Sequence, residues 1–317
     1  GGAVAVTSGD NMTFGAPILS NNAGVTFAAG GDVTTLAGAT VTAPDGLGVG
    51  PATGFSSITA DGSVTLGAAV TVADGITVDA DGNIAVNANL TADSDVDGSG
   101  DAELTADADS SSAGDVTMGD FTILAENIDV GGYNVQVDAL TADEAGDGDG
   151  NITVLAQNNA TLSDTLTAGT DATSNIAITG TEGTVAQTAG NMTAGNDVTV
   201  SGGQGIELDG TIGAGTAIGN DVALTSSDGT IDLGGAVTAV NDITATAEES
   251  VEITAAVTLR ADSDGDNAGD ITLTADSNTD ADGAVDMLAG STLAAENVTL
   301  AGHDVVADTL TADIAGD

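Results

Sequence analysis

Two short acidic runs have a spacing that could bind calcium. In each run, carboxylates stand at relative positions 1, 3, 5 and 9, which is the oxygen-ligand spacing of an EF-hand-like loop. The runs are Asp93, Asp95, Asp97 and Asp101, and Asp262, Asp264, Asp266 and Asp270. The match fails at position 12, because Leu104 and Leu273 stand where an EF-hand has a bidentate Glu. The spacing therefore predicts structural Ca²⁺ in loops that only partly follow the EF-hand pattern.

Two similar runs follow the same pattern less closely. They are Asp143, Asp147 and Asp149, and Asp276, Asp280 and Asp282. Many of the runs begin with the phrase Thr-Ala-Asp or Arg-Ala-Asp, which suggests that they stack on one edge of a repeated fold. Stacked carboxylates ~4.8 Å apart would repel one another unless cations bridged them. The alternative is a solvated acidic edge that keeps the protein soluble.

The overall charge excludes several classes of function. The 317 residues include 49 acidic side chains and one Arg, Arg260, so the formal net charge is −48. Such a chain cannot neutralise a phosphate backbone, so we expect no nucleic-acid partner. No apolar stretch approaches the ~18 residues that a bilayer span needs, so we expect no membrane insertion. The absence of Cys excludes thiolate metal sites, which leaves divalent cations bound by oxygen as the expected partners.

Catalytic chemistry is poorly supported. Two carboxylates could serve a glycosidase, but Asp is so abundant here that the proximity of two means little. A lyase would need a basic group, and the candidates, Arg260 and His303, lie far apart in the sequence. We interpret His303 as a turn residue. We expect Arg260 to compensate the local negative charge next to Asp262. We therefore predict that the chain is not an enzyme.

Two surface patterns have competing explanations. Asn-x-Thr glycosylation sequons could also arise simply from the strand repeat. They occur at Asn11, Asn89, Asn151, Asn159, Asn191 and Asn297. Rows of Thr could form an ice-binding face, but the Thr positions are not uniform from one repeat to the next. The sequence therefore disfavours ice binding.

A recurring four-residue motif must position these acidic runs. It consists of Asp or Asn, an apolar residue, any residue, and a second apolar residue, and its copies start 21 to 28 residues apart between positions 151 and 297. Clear copies start at Asn127, Asn151, Asn175, Asp197, Asp221, Asp242, Asp270 and Asn297. Alternation of apolar and polar residues over four positions predicts short, half-buried strands, and Gly, Asp, Asn and Ser separate them as turns.

Each period contains two more strands of the same kind, such as 230–233 and 236–239 after Asp221. Three short strands per ~24 residues predict an all-β, parallel, right-handed β-solenoid of about thirteen coils, in which stacked coils share one core. The apolar residues are mainly Val, Ile, Leu and Ala, which suits flat repeated layers. A tandem array of β-sandwiches would need aromatic cores, which are absent.

The chain divides by regularity. Residues 1–56 contain all three Pro and three of the four Phe, and they predict irregular coils that form a cap or docking region. Residues 57–317 predict a regular solenoid with a duplicated seven-coil unit, in which 75–147 matches 242–317. The sequence ends within a loop and without a polar cap. We therefore expect the solenoid to continue, in the same polypeptide or by head-to-tail stacking on another copy.

The repeated segments Asn-Ile-Thr-Val at 151–154 and Gly-Thr-Ile-Asp-Leu at 229–233 support a family resemblance. Over positions 57–317 the chain resembles the filamentous haemagglutinin-like adhesins that are exported by two-partner secretion. The resemblance implies a right-handed β-helix, export, and an adhesive or fibre role, with no catalytic residues. The secretion-domain signature of that family is not recognisable here.

The leading functional hypothesis is a structural extracellular fibre subunit or cell-surface rod, stabilised by cations and stacked end to end. The alternative is the stalk of a calcium-dependent adhesin whose receptor-binding part lies elsewhere and contacts surface glycans. A polysaccharide-active β-helix enzyme is a distant third hypothesis.

Overall fold

The strands of this protein are short and uniform. The computed structural model describes residues 3–20, 24–43, 55–95, 98–108, 113–143, 150–215, 220–264, 268–279 and 282–312. Within these ranges the chain forms 39 strands and no helix, and all strand pairs are parallel. We number the strands in chain order, and every third strand belongs to the same sheet. The predicted all-β parallel solenoid with three strands per coil is confirmed.

Two compact units can be distinguished, Gly1–Gln157 (unit 1) and Asn158–Asp317 (unit 2). The predicted boundary after residue 56 and the predicted duplication stay predictions.

In unit 1 the chain winds repeatedly through three sheets. The first sheet contains β1 (Val4–Ser8), β4 (Val25–Ala29), β7 (Phe55–Ala60), β10 (Gly75–Ala80), β13 (Asp101–Ala106), β16 (Ile128–Gly132) and β19 (Ile152–Ala156). The second contains β2 (Met12–Phe14), β5 (Val33–Thr35), β8 (Val64–Leu66), β11 (Ile84–Val86), β14 (Val116–Met118) and β17 (Val135–Val137). The third contains β3 (Ile18–Leu19), β6 (Val41–Ala43), β9 (Val70–Val72), β12 (Leu90–Ala92), β15 (Thr122–Ala125) and β18 (Ala139–Ala142).

Unit 2 repeats this arrangement. Its first sheet contains β22 (Ile176–Gly180), β25 (Val198–Gly202), β28 (Val222–Ser226), β31 (Ile243–Ala247), β34 (Asp270–Thr274) and β37 (Asn297–Ala301). The second contains β20 (Ala160–Leu162), β23 (Thr184–Gln187), β26 (Gly205–Leu208), β29 (Thr230–Leu233), β32 (Val251–Ile253), β35 (Ala284–Met287) and β38 (Asp304–Val306). The third contains β21 (Leu166–Thr167), β24 (Asn191–Ala194), β27 (Thr211–Ala214), β30 (Val237–Ala239), β33 (Thr258–Arg260), β36 (Thr292–Ala295) and β39 (Thr309–Ala312).

The alternation of side chains places a mainly aliphatic core inside each coil. In β28, for example, Val222 and Leu224 are fully buried, whereas Ala223 and Thr225 lie on the outer surface. The parallel register stacks Val222 between Val198 in the preceding strand β25 and Ile243 in the following strand β31. Like residues therefore meet like residues from coil to coil, which gives the continuous core expected of a solenoid.

Candidate functional site

Five loops share one construction, and four of the predicted acidic runs begin in them. Each loop starts with an Asp whose φ is positive, between 54° and 71°, and ends seven residues later with a Gly. A Cβ built on that Gly would lie only 2.1 to 2.3 Å from the backbone nitrogen of the starting Asp. The two ends of the loop are therefore pressed together, and only Gly fits at the closing position. We call these the pinched loops: 93–100, 107–114, 143–150, 262–269 and 276–283.

The starting Asp has a structural role in its loop. Asp93 and Asp262 are fully buried, and Asp107 is only 5% exposed. One carboxylate oxygen of Asp93, Oδ2, accepts a hydrogen bond from the backbone N–H of Gly98 at 3.2 Å. Asp tolerates the left-handed conformation better than most residues because its short side chain can bond locally. The residue that we predicted as the first calcium ligand thus also closes the loop.

The pinched loops lie at two different corners of the coil. The loops starting at Asp93, Asp143 and Asp262 follow strands of the third sheet, whereas those at Asp107 and Asp276 follow strands of the first sheet. Three of the four predicted acidic runs follow the third sheet, as expected, but the run at Asp276 follows the first sheet, so the runs do not all stack along a single edge. Loops of the same composition enter the coil after different strands, and the sequence pattern does not distinguish the two positions.

A buried Glu stacks on a pinched loop in unit 1. The backbone N–H of Glu126 donates to the carbonyl of Gly100 at 2.7 Å, and its own carbonyl accepts the N–H of Asp143 at 3.1 Å. Glu126 thus connects the loop that closes at Gly100 with the loop that starts at Asp143, and it is only 5% exposed. In unit 2 the N–H of Glu296 donates to Gly269 in the same way, at 2.8 Å. Carboxylates are therefore concentrated around these corners beyond the residues that we predicted.

The Asp or Asn that opens each repeat motif forms a ladder between coils. In unit 2 the backbone N–H of Asp221 donates to Oδ1 of Asp197 at 2.9 Å, and the N–H of Asp242 donates to Oδ1 of Asp221 at 3.0 Å. The next rung is Asp270, whose N–H donates to Oδ1 of Asp242 at 2.8 Å and whose own Oδ1 accepts Nδ2 of Asn297 at 2.7 Å. Three of these four bonds satisfy a backbone donor at a corner, where the sheet ladder is interrupted.

A similar ladder runs through unit 1. Oδ1 of Asp101 accepts both the backbone N–H and Nδ2 of Asn127, at 3.2 and 2.8 Å, and Oδ1 of Asn127 accepts the N–H of Asn151 at 3.0 Å. The sequence shows these positions only as a motif, and the structure shows that they bond adjacent coils. Asp101 and Asp270, which we predicted as calcium ligands, are rungs of these ladders.

Several sequon Asn residues are also bonded between coils. Oδ1 of Asn11, Asn89, Asn159 and Asn191 accepts the backbone N–H of Asp32, Thr122, Thr184 and Thr211, respectively. These bonds give the sequon Asn residues a structural role. Such a role agrees with the explanation that the sequons arise from the strand repeat.

The predicted metal residues fall into two groups. The structure describes Asp93, Asp95, Asp101, Asp143, Asp262, Asp264, Asp270, Asp276 and Asp282, whereas Asp97, Asp147, Asp149, Asp266 and Asp280 lie outside the described residues. Within the described ranges, no group of three or more His, Asp or Glu side chains is arranged to hold a metal ion. The assignment of calcium to these residues stays a prediction.

A column of carboxylates that the sequence pattern does not reveal crosses the second sheet of unit 2. The parallel register aligns Glu207, Asp232, Glu252 and Asp286 on the adjacent strands β26, β29, β32 and β35. Burial raises the pKa of Asp232, and the charge of Asp209 raises it further. Burial also raises the pKa of Glu252, with smaller contributions from Asp232 and Asp286. Protonation of this acidic column reduces the repulsion between its members.

The raised pKa values of Asp232 and Glu252 predict that acid stabilises the fold. A carboxyl whose pKa is higher folded than unfolded opposes folding at neutral pH, and this opposition disappears as the pH falls through the folded-state value. The melting temperature followed by circular dichroism should therefore rise as the pH falls from 7 toward the ordinary carboxyl pKa values of 3.8 and 4.5. Glu252→Gln should raise the melting temperature at pH 7 and flatten this pH dependence. Glu182→Gln, at an exposed turn, serves as the control and should do neither.

The two remaining predicted features lie outside these clusters. His303 lies in the turn before β38, as predicted, and its backbone N–H donates to the carbonyl of Gly283 at 2.8 Å. Arg260 is the last residue of β33, and its Cα is paired with Thr238 and Ala294. Its role in charge compensation stays a prediction.

Comparison with known proteins finds no matching family model, no matching curated protein and no matching solved structure. No helix within the described ranges is long and apolar enough to cross a membrane. The β-solenoid fold is compatible with β-helical adhesins, and the likeness to them is limited to the fold.

Proposed function

We propose that this chain is a non-enzymatic structural element, a stiff extracellular fibre subunit or cell-surface rod of the kind found among filamentous haemagglutinin-like proteins. The observation that carries the proposal is the ladder of Asp and Asn side chains. In unit 2 it ties each coil to the next at one corner, in addition to the three parallel sheets. Such a stack resists local opening, because each coil is hydrogen bonded to both neighbours at its strands and at its turns.

Divalent cations, Ca²⁺ above all, are the partners that we propose for the acidic surface. The support is the crowding of carboxylates around the pinched loops and along the acidic column, in a chain that has one Arg and no Lys. Carboxylate and carbonyl oxygens are the ligands that Ca²⁺ prefers, and the flexible coordination of this ion suits irregular loops. The bound ions would offset like-charge repulsion and stiffen the corners.

The test is thermal unfolding followed by circular dichroism, with and without EDTA, and then with Ca²⁺ or Mg²⁺ added back. We expect the melting temperature to fall in EDTA and to recover with Ca²⁺ but not with Mg²⁺, because Mg²⁺ demands a stricter octahedral geometry. Asp264→Asn, in a pinched loop, should weaken the Ca²⁺ response. Asp228→Asn, in an ordinary exposed turn, should leave it unchanged.

Two results would count against this proposal. A melting temperature that is indifferent to EDTA would leave the acidic surface as a solubilising feature only. Electron microscopy of the same preparation addresses the structural role: long regular filaments support a fibre subunit that stacks head to tail. Short separate particles indicate instead a segment of an adhesin stalk.

A further inference from the structure

Beside the ladder of Asp and Asn, the outer face of the first sheet in unit 2 carries two columns of uncharged side chains. These two columns contain twelve side chains, which the parallel register aligns across six strands, while Asp270 and Asn297 of the ladder point outward beside them from β34 and β37. Eight are Thr, one is Ser and three are Ala. The columns are Ala177, Thr199, Ala223, Thr244, Thr272 and Thr299, and Thr179, Ser201, Thr225, Thr246, Thr274 and Ala301. We call this surface the threonine face.

The neutrality of the threonine face is a local feature and does not simply follow from composition. The chain has 49 acidic residues, and the second sheet of the same unit carries the acidic column. The equivalent outward columns of the first sheet in unit 1 include Asp79, Glu103 and Asp129. Coils of unequal length hide the alignment of the Thr residues in the sequence, and the structure shows aligned columns of the kind that ice binding would need.

The threonine face repeats at a distance that ordered water can match. Hydroxyl groups on adjacent strands are spaced by ~4.8 Å. In tetrahedrally bonded water with O···O distances of about 2.75 Å, two molecules that share a neighbour lie ~4.5 Å apart. The χ1 torsion of Thr is stiff, so its hydroxyl and methyl groups are held in place before any contact is made. Charged side chains, which impose their own hydration geometry, are absent from these two columns and lie in the ladder beside them.

The size of the threonine face favours a lattice over a second protein. Six strands at ~4.8 Å and three residues along each strand give a patch of roughly 300 Å². A stable protein interface buries about 800 Å² on each partner, and its centre is apolar or aromatic. A crystalline surface can instead engage every row of the patch at once, because it repeats as the patch does. We propose that the threonine face of unit 2 binds the surface of ice.

The test uses the whole chain in an ice recrystallisation assay, with observation of crystal shape. The protein should keep ice crystals small and faceted. Thr244→Tyr, near the centre of the threonine face, should raise the protein concentration needed by roughly tenfold, as for central residues of other contact surfaces. Thr238→Tyr provides the matched control, because Thr238 points outward from β30 in the neighbouring third sheet and is similarly exposed. It should act like the unchanged protein.

Circular dichroism melting of each variant separates loss of binding from loss of fold. If Thr244→Tyr proves unstable, Thr225→Tyr in the other column makes the same test on a different strand. The proposal is overturned if the unchanged protein restrains ice growth no better than polyglutamate at equal charge. It is equally overturned if the stable variants lose activity to the same extent on both sheets. Neither failure bears on the structural role, which the EDTA and filament experiments address.

Discussion

Replacing Leu224 by Asp should unfold unit 2. Leu224 is fully buried in β28, where the register stacks it between Val200 and Ala245. A carboxylate at this position would lose its hydration without gaining a cation. Burial of an unpaired charge costs more than about 4 kcal/mol, which is a large part of the stability of a typical domain. Urea unfolding followed by circular dichroism should show a strongly lowered midpoint or no folded baseline.

The neighbouring residue supplies the control. Thr225 follows Leu224 directly and points outward from the same strand. Thr225→Asp adds the same charge to the surface and should change the free energy of unfolding by less than about 1 kcal/mol. Equal stability of the two variants would mean that the alternation of buried and exposed positions in β28 is not as described.

Gly269→Ala should destabilise the protein by about 3 kcal/mol, near the upper end of the usual cost of inserting a methyl group into a packed site. The added Cβ would lie 2.1 Å from the backbone nitrogen of Asp262 and 2.6 Å from the carbonyl oxygen of Asn241. Both neighbours are main-chain atoms, so relief requires the corner itself to move. The free energy of unfolding in urea measures the loss, provided that the slope with denaturant stays constant.

Gly213→Ala is the matched control for this change. Gly213 lies in β27 and points outward, and an added Cβ there would meet no atom within 4 Å. Ala restricts the unfolded chain more than Gly does, so this variant should be neutral or up to ~1 kcal/mol more stable. If both Ala variants behaved alike, the close approach of the two loop ends would not govern which residue can occupy position 269.

The fold could be predicted from the sequence because its signal is local. From β16 onward, each strand of the first sheet shows alternation within four residues, as in Val222, Ala223 and Leu224, and an Asp or Asn stands at or directly before its start. The acidic column could not be predicted in this way. Asp232, Glu252 and Asp286 are 20 and 34 residues apart, because turns and loops differ in length between coils. Only the register brings them together.

The acidic runs show that ligand spacing alone does not predict a shared site. The spacing of Asp93 and Asp101 matches ligands that converge on one ion, as in an EF-hand-like loop. In the structure the two residues have separate tasks, since Asp93 bonds within its own loop and Asp101 bonds to the next coil. Spacing along the chain predicts convergence only when the backbone between the ligands forms a single turn. Here a pinched loop ends at Gly100, and a strand begins directly after it.

The pinched loops also bear on how such a chain changes during evolution. At equivalent corners of unit 1, the eight residues 93–100 stand where the following coil has Glu126 alone. The strands before and after the loop still pair with their counterparts without a shift, as Thr91 with Leu124 and Ala102 with Ile128. An Asp at the start and a Gly at the end therefore allow a segment to be gained or lost without a shift in the pairing register of the strands. Descendants of such a gene can diversify their surface by insertion and deletion while they inherit the same core.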